Sequence, residues 1–231
     1  VKFSFTLYLS FMSPTDLSIT PLDFEQWPRK QHFELFQQFT QPYFNVCVQL
    51  NAKKLYIACK QANIAFFHGY IYCLLKVCHK YEPMMLRIIN QKPCYLSATR
   101  ASVVELADDE SFRFSYFKLH ESLNEFAREA KAISNATKLN PLFSDAFAAT
   151  EGQADLIHVS VLPWLNFSSF SHAFTHGQSN GIPKFVFGQY NTETGKMPLA
   201  IDVHHALLDG LHVAKFIKQL QYTFNNLSNN N

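Results

Sequence analysis

Several features that mark common protein classes are absent from this sequence of 231 residues. The formal net charge is only +2 and no basic block is longer than two residues, so the pattern of a nucleic-acid-binding protein is missing. The five cysteines form no C-x-x-C pair and no cluster at zinc-ligand spacing, which favours reduced thiols in a cytosolic protein. No segment approaches the roughly 20 apolar residues of a membrane span, and no internal repeat indicates a solenoid.

The composition that remains is that of a folded, strongly apolar chain. Hydrophobic residues make up 48% of the sequence and charged residues 16%, and there are 23 phenylalanines. Such a composition excludes intrinsic disorder and requires that much aromatic surface be buried. We expect one hydrophobic core, with some of the aromatic surface facing a partner subunit.

The chain is predicted to form one domain over residues 27–224. Residues 1–26 are expected to be an N-terminal extension that is partly non-native, with Met12 as a candidate native start, and residues 225–231 a frayed tail. An export signal in the first twelve residues is the alternative. Polar residues interrupt that apolar stretch, however, and no small-residue cleavage site follows it.

Hydrophobic periodicity predicts a mixture of helices and strands. Helices are predicted over Trp27–Phe39, Lys53–Tyr81 with an interruption near Asn63, Glu121–Ala136 and Leu211–Phe224. Strands are predicted over Phe44–Leu50, Leu86–Leu96, Ala101–Leu106, Phe112–Leu119, Leu156–Leu162, Lys184–Tyr190 and Leu199–His204. The segment Ala65–Tyr81 is apolar nearly all round and is expected to be deeply buried.

The segment His204–Gly210 carries the clearest chemical pattern. It runs from a predicted strand into a predicted helix, a kind of junction that often carries catalytic groups. Because strand side chains alternate, His204 and His205 point in opposite directions and only one can face a given cleft. Asp209 lies four residues beyond His205, where it can orient a neighbour or anchor the loop through a buried cation.

Two ordinary explanations compete with a catalytic one for this segment. Adjacent histidines are often a packed or exposed strand pair, and Asp-Gly is most often a turn. A metal site is disfavoured and no metal is expected, since no third ligand lies near and the two rings diverge.

Three blocks of this sequence resemble one known family. The segment from Met197 to Ala214 carries the pattern H-H-x-x-x-D-G within surroundings similar to those of type A chloramphenicol acetyltransferases. The segment Trp27–Glu34 resembles that family's W-x-R-R-x-H-F-E block, and Ser160–Phe170 resembles its S-x-x-P-W-x-x-F-x-S-F block. The H-H-x-x-x-D-G pattern is shared with lipoyl-linked acyltransferases and peptide-synthetase condensation domains.

The resemblance implies an α/β two-layer sandwich, in which helices cover a mixed β-sheet. It also implies a homotrimer with active sites at subunit interfaces, where acetyl-CoA and the acceptor enter from opposite sides. By position, His205 is implied to be the general base and Ser160 to stabilise the oxyanion, while Asp209 pairs with Arg29. His204 is expected to serve in packing. Trp164 and Tyr190 match aromatic positions on the CoA side.

The chain departs from the family pattern mainly at positions around the acceptor. Substrate-binding residues are predicted to be Phe36 in place of a tyrosine, Phe112, Phe114 in place of a small residue, Phe170, and His172 in place of a leucine. Leu208 replaces a cysteine that the chemistry does not need. Val186 and Gln189 replace a threonine and a lysine, which weakens the expectation of family contacts to an oxyanion water and a CoA phosphate.

These observations favour a cytoplasmic acetyltransferase that transfers the acetyl group of acetyl-CoA to chloramphenicol or a similar small alcohol. The residues around the acceptor that differ from the family pattern indicate that the choice of acceptor is altered or relaxed. One alternative is a non-catalytic protein that sequesters hydrophobic drugs or metabolites in a retained interface channel. A carrier-linked acyltransferase ranks last, because the sequence carries no carrier or subunit-binding segment.

Overall fold

A computed structural model describes residues 17–174 and 180–227 of the chain. Over these ranges the strands are β1 (Ile19–Pro21), β2 (Tyr43–Asn51), β3 (Leu86–Ile89), β4 (Lys92–Leu96), β5 (Arg100–Leu106), β6 (Phe112–Lys118), β7 (Leu156–Val161), β8 (Lys184–Phe187) and β9 (Lys196–His204). The helices are α1 (Lys30–Phe36), α2 (Lys53–Gln61), α3 (Phe66–Lys80), α4 (Leu123–Leu139), α5 (Asp145–Thr150) and α6 (Gly210–Asn226), and a 3-10 turn spans Glu82–Met85. Residues 1–16 of the predicted extension, residues 175–179 and residues 228–231 of the predicted tail lie outside the described residues.

The larger sheet contains six strands in the order β2-β9-β8-β7-β5-β6. Strand β7 is parallel to both of its neighbours, and the remaining pairs are antiparallel. The sheet is therefore mixed. Together with the helices packed on it, it confirms the predicted α/β class.

One face of this sheet is apolar and faces the helices. Val103, Val159, Phe185 and Ile201 are aligned across four neighbouring strands, and each is at most 1% exposed. Aligned residues of adjacent strands project from the same face, so these four side chains form a continuous apolar row. The row belongs to the core that also contains the buried faces of α3 and α6. The result is two layers, sheet and helices.

Helix α3 lies at the centre of the helical layer. It packs against α2, α4 and α6, and most of its side chains are buried, as its all-round apolar pattern predicted. The expected interruption is confirmed at Asn63, which adopts a left-handed backbone conformation with φ of 53° between α2 and α3. Over the described ranges, no helix combines the length and hydropathy that crossing a membrane requires.

The smaller sheet, of order β1-β4-β3, is tied to the larger one by the buried guanidinium of Arg87. Its Nε donates to Ala154 O at 2.8 Å, and its other nitrogens donate to the backbone carbonyls of Met84, Leu86 and Leu156 at 2.8 to 3.0 Å. Burial lowers the pKa of Arg87 to about 10, which leaves it charged at neutral pH. This charge-assisted network joins β3 to the start of β7.

The structure differs from the predicted elements at four places. The strand predicted over Leu86–Leu96 is two antiparallel strands, β3 and β4, joined by a turn in which Asn90 and Gln91 have φ of 50° and 61°. Strand β1 pairs with β4 and lies within the segment predicted as an extension. Helix α1 starts at Lys30 rather than Trp27, because Pro28 and Arg29 form a turn. Helix α5 was not predicted, since six residues are too few to show helical periodicity, although Ser144 caps it by accepting from Phe147 N at 3.2 Å.

We predict that Phe216→Ala lowers the free energy of unfolding by about 3–5 kcal/mol, as expected for removing a large buried aromatic side chain. Phe216 is fully buried in α6, with ring centroids 5.8 Å from Phe185 and 6.1 Å from Tyr81. Tyr222→Ala on the same helix is the matched control, because Tyr222 is 70% exposed. Urea unfolding at one protein concentration measures both, and equal losses in the two variants would contradict the assigned core.

Candidate active site

The turn from β9 to α6 positions His205 through its backbone. His204 is the last residue of β9, and the N–H of His205 donates to Pro42 O at 2.8 Å. The carbonyl of His205 accepts from Nη2 of Arg29 at 3.0 Å. Both sides of the His205 peptide are therefore held by residues more than 150 positions away in the sequence.

Two aromatic rings hold the His205 imidazole. Phe36 stacks on it with ring centroids 3.9 Å apart and an interplanar angle of 5°, and the Phe44 ring is 4.7 Å away. The Nδ1 atom is buried, and no hydrogen-bond partner for it occurs among the described residues. Phe36, predicted to bind substrate, thus contacts the histidine directly. Phe44 is a further site residue that the sequence pattern did not single out.

His204 is fully buried and points away from His205 into the protein. Its Nδ1 accepts from the backbone N–H of Ala206 at 3.2 Å, and its ring meets Tyr43 edge-on at 5.1 Å. Burial, together with the neighbouring His205, lowers the pKa of His204 to about 4, so that it is neutral at pH 7. These contacts are those of a packed core histidine.

Asp209 connects the histidine turn to α1 and to α6. Its Oδ2 lies 2.7 Å from Nη1 of Arg29, so the ion pair expected from the sequence is present. Its Oδ1 accepts from Leu211 N at 3.0 Å as the N-cap of α6 and lies 2.8 Å from Nδ1 of His212. Burial opposes ionisation, yet hydrogen bonding to His212 and the charges of His212 and Arg29 lower the pKa of Asp209 to about 2.

A cavity of about 390 Å³ lies on the sheet face opposite α3 and α6. It brings together Ser160 and four of the five residues predicted to bind substrate, Phe112, Phe114, Phe170 and His172. Its walls combine aromatic rings with hydroxyl, imidazole and ammonium groups. Phe36 is not part of it.

Within one chain this cavity is separate from His205. Ser160 aligns with Val186 and Val186 aligns with Ala200, two strands away from Ser160. His205 follows Ala200 by five residues. At about 3.3 Å per residue and 4.8 Å per strand, Ser160 and His205 are roughly 15–20 Å apart. A hydroxyl group bound at Ser160 therefore cannot reach His205 of the same chain.

The cavity is built on a row of polar side chains that crosses the whole sheet, here called the polar row. Its members are aligned on six neighbouring strands: Tyr116, Ser102, His158, Lys184, Asp202 and Asn45. Glu151, the C-cap residue that follows α5, accepts from the hydroxyls of Tyr116 and Ser102 at 3.0 Å and lies 3.4 Å from His158 Nε2. Burial is the main cause that lowers the pKa of His158.

Asp202 is the member of the polar row that the sequence reasoning missed most clearly. Its Oδ2 lies 2.6 Å from Nδ1 of His172 and accepts from Nδ2 of Asn45 at 2.8 Å. The available sequence signal was a carboxylate within an otherwise apolar strand, two residues before the histidine pair.

A backbone hydrogen bond brings together the chain segments that contain Trp164 and Tyr190. The N–H of Gln189, next to Tyr190, donates to the O of Leu165, next to Trp164, at 2.8 Å. Tyr190 stacks on Tyr56 with centroids 4.8 Å apart, and Tyr56 lines a second cavity of about 310 Å³ near Lys60. Trp164 is 55% exposed.

No group of three or more His, Cys, Asp or Glu side chains within residues 17–174 and 180–227 is arranged to hold a metal ion. Two pairs of titratable side chains occur at the site, Arg29–Asp209 and His172–Asp202.

Comparison with known proteins identifies the family of this arrangement. A family model described as chloramphenicol acetyltransferase matches residues 17–221. A chloramphenicol acetyltransferase of Proteus mirabilis is 28% identical over 214 residues, which cover 91% of this chain and 96% of the relative.

Solved structures share the fold. One chloramphenicol acetyltransferase superposes with a TM-score of 0.80 at 24% identity, covering 90% of this chain and 100% of that one. A probable dihydrolipoamide acetyltransferase from Listeria monocytogenes has a TM-score of 0.62 at 15% identity, covering 84% of this chain and 88% of that one.

We predict that Asp209→Asn destabilises the protein by about 1 kcal/mol at pH 7, because it removes a partly exposed ion pair but keeps an oxygen that caps α6. Asp209→Ala also removes the cap and is expected to cost about 2 kcal/mol. Asp108→Asn is the control, since Asp108 is exposed in a turn. Urea unfolding measures all three, and an unchanged Asp209→Ala variant would show that this junction is not held as described.

The ion pair between Arg29 and Asp209 predicts that the stability of the protein depends on pH. The pKa of Asp209 is about 2 in the folded protein, below the value of about 3.9 for an unfolded aspartate. Its charge therefore stabilises the fold above about pH 4, and this contribution is lost as the pH falls toward 2. The stability difference between wild type and Asp209→Asn should shrink over that range in urea unfolding. A difference that stays constant from pH 6 to pH 2 would contradict the assignment.

Proposed function

The chain belongs to the chloramphenicol acetyltransferase family, and from that membership we propose that it transfers the acetyl group of acetyl-CoA to a hydroxyl of chloramphenicol or a similar small alcohol. The observation that supports this proposal most directly is that the protein fixes both the backbone and the ring of His205. Its peptide is fixed by Arg29 and Pro42 and its ring by Phe36, which is the preorganisation that a general base needs.

The reaction we propose is a direct transfer. Nε2 of His205 accepts the proton of the acceptor hydroxyl as that oxygen forms a bond to the thioester carbonyl carbon. The C–S bond then breaks, and the imidazolium returns the proton to the departing thiolate of CoA. The products are the acetyl ester and free CoA, and His205 ends in the state in which it began.

Ser160 is proposed to stabilise the tetrahedral intermediate. Its hydroxyl lies in the cavity with Phe112, Phe114 and Phe170, so it is available to a bound acceptor. A donated hydrogen bond to the developing oxyanion contributes roughly 2.7–4 kcal/mol in comparable enzymes. Val186, beside Ser160 on β8, provides no second hydroxyl.

We propose that the complete site forms between two subunits of a homotrimer, with Ser160 and its cavity from one chain and His205 from the next. The separation of roughly 15–20 Å between these residues in one chain supports this arrangement, since proton transfer needs hydrogen-bond contact. The polar row offers groups that a neighbouring copy can contact, and Ser102, His158 and Lys184 already line the cavity.

Acetyl-CoA is proposed to enter beside Trp164 and Tyr190. The exposed indole and the aromatic group of Tyr190 and Tyr56 provide apolar surface there. We further assign the chain to the type A members on its three sequence blocks. The reaction is placed in the cytoplasm, in line with five unpaired cysteines.

We predict that His205→Ala lowers kcat by about 10²- to 10⁴-fold, the usual contribution of a general base. Release of free thiol from acetyl-CoA in the presence of chloramphenicol measures the rate. His32→Ala is the matched control, because His32 is exposed on α1 and is expected to leave the rate unchanged.

Full activity of His205→Ala would remove the assigned base. No thiol release from wild type with any alcohol in a panel would remove the enzymatic function. Binding of chloramphenicol without binding of acetyl-CoA, measured by calorimetry, would then favour a sequestering protein.

The subunit arrangement predicts complementation between two inactive variants. Ser160→Ala and His205→Ala chains, each strongly impaired alone, are unfolded together and refolded as mixed trimers. One interface of each mixed trimer then combines an intact Ser160 with an intact His205. Random mixing should restore about a quarter of wild-type activity, by counting interfaces in a cyclic trimer. No activity above that of the separate variants would contradict a shared site.

A further inference from the structure

His172 and Asp202 form a buried pair at the edge of the acceptor cavity. Nδ1 of His172 lies 2.6 Å from Oδ2 of Asp202, and the two side chains are 11% and 4% exposed. They are 30 positions apart in the sequence, one in the segment that covers the polar row and the other on β9. Neither the general base nor the oxyanion donor of the proposed reaction uses this pair.

The carboxylate of Asp202 determines which ring nitrogen of His172 carries hydrogen. A carboxylate only accepts hydrogen bonds, so the proton of this contact lies on Nδ1. The remaining nitrogen, Nε2, is buried and has no hydrogen-bond partner among the described residues. Leaving a buried polar atom unpaired costs free energy, which a ligand that pairs with it recovers.

Lys184 lies beside this pair. It is aligned with Asp202 on the neighbouring strand, and its Nζ donates to Ala173 O at 2.8 Å. Burial lowers the pKa of Lys184 while Asp202 raises it. Asn45, the other hydrogen-bond partner of Asp202, carries no charge. With the hydrogen of the Asp202 contact on Nδ1, the Nε2 atom of His172 presents a lone pair and accepts hydrogen bonds.

From this geometry, and resting on the proposed function, we propose that His172 selects acceptor alcohols that carry a second, neutral hydrogen-bond donor, either a hydroxyl or an amide N–H. Asp202 is a positioning residue that holds the Nδ1–H tautomer. The aromatic walls Phe112, Phe114 and Phe170 accept the apolar body of such a molecule. An ammonium group is disfavoured because Lys184 lines the same cavity.

Binding without acetyl-CoA tests the selection separately from turnover. The probes are chloramphenicol, its analogue without the second hydroxyl, and its analogue with an N-methylated amide. Calorimetry should show that one of the analogues binds wild type about tenfold more weakly than chloramphenicol, the effect of one lost hydrogen bond. Which analogue loses affinity identifies the donor group.

His172→Leu should abolish this discrimination, because leucine cannot accept a hydrogen bond. His120→Leu is the matched control, as His120 also pairs with a carboxylate, Glu129 at 3.0 Å, but does not line the cavity. The His120→Leu variant should retain the wild-type ratio between the affinities for chloramphenicol and for the more weakly bound analogue. Equal affinities of wild type for all three probes, or an unchanged ratio in His172→Leu, would overturn the inference.

The tautomer is measured directly by ¹⁵N spectroscopy of the histidine rings in the wild-type protein. We expect His172 to show a protonated Nδ1 and an unprotonated Nε2 at pH 7. The Asp202→Ala variant should lose this tautomer. When Asp202→Ala is added to His172→Leu, the double variant should show the same ratio of probe affinities as His172→Leu alone. A doubly protonated ring, or a proton on Nε2 alone, in the wild-type protein would overturn the inference.

The binding and turnover results separate the two proposals. Discrimination among the probes without thiol release would remove the acetyltransferase function but keep the role of His172. Thiol release without discrimination would keep the function and remove the selection.

Discussion

The six-stranded sheet buries one face against the helices of its own chain, and this constraint organises the rest of the molecule. Successive side chains of a strand point to opposite faces, so each strand presents an apolar side to the helices. Val159 and Phe185 project into the core, while their neighbours His158 and Lys184 belong to the polar row. The cavity with Ser160 lies on the second face, which carries the polar row and is contacted by the short helix α5 rather than by α3 and α6.

The junction between β9 and α6 depends on one ion pair that performs several tasks. Arg29 holds the carbonyl of His205, and Asp209 both pairs with Arg29 and caps α6. A single carboxylate thus couples the start of a helix, the end of a strand and the turn before α1. This explains how the histidine is positioned without a hydrogen bond to its Nδ1 from the described residues.

Long elements with a regular pattern were predictable, and short or irregular ones were not. Helix α3 and its break at Asn63 followed from apolar content and length. Helix α5 escaped prediction because six residues carry little periodic signal, and α1 starts later than expected because Pro28 and Arg29 form a turn. The residues of the motif could be identified from the sequence, because the pattern around His205 lies within one short stretch of chain.

The sequence by itself determined the mixture of helices and strands, the order of most elements and the motif that contains His205 and Asp209, and the resemblance carried by its three blocks implied the α/β sandwich. These depend on local periodicity and on residues close together in the chain. Only the tertiary structure decided that Phe36 stacks on His205, that Asp202 pairs with His172, and that Ser160 lies far from His205 within one chain. Strand order and register bring distant residues together, and no pattern along a single strand encodes its neighbours.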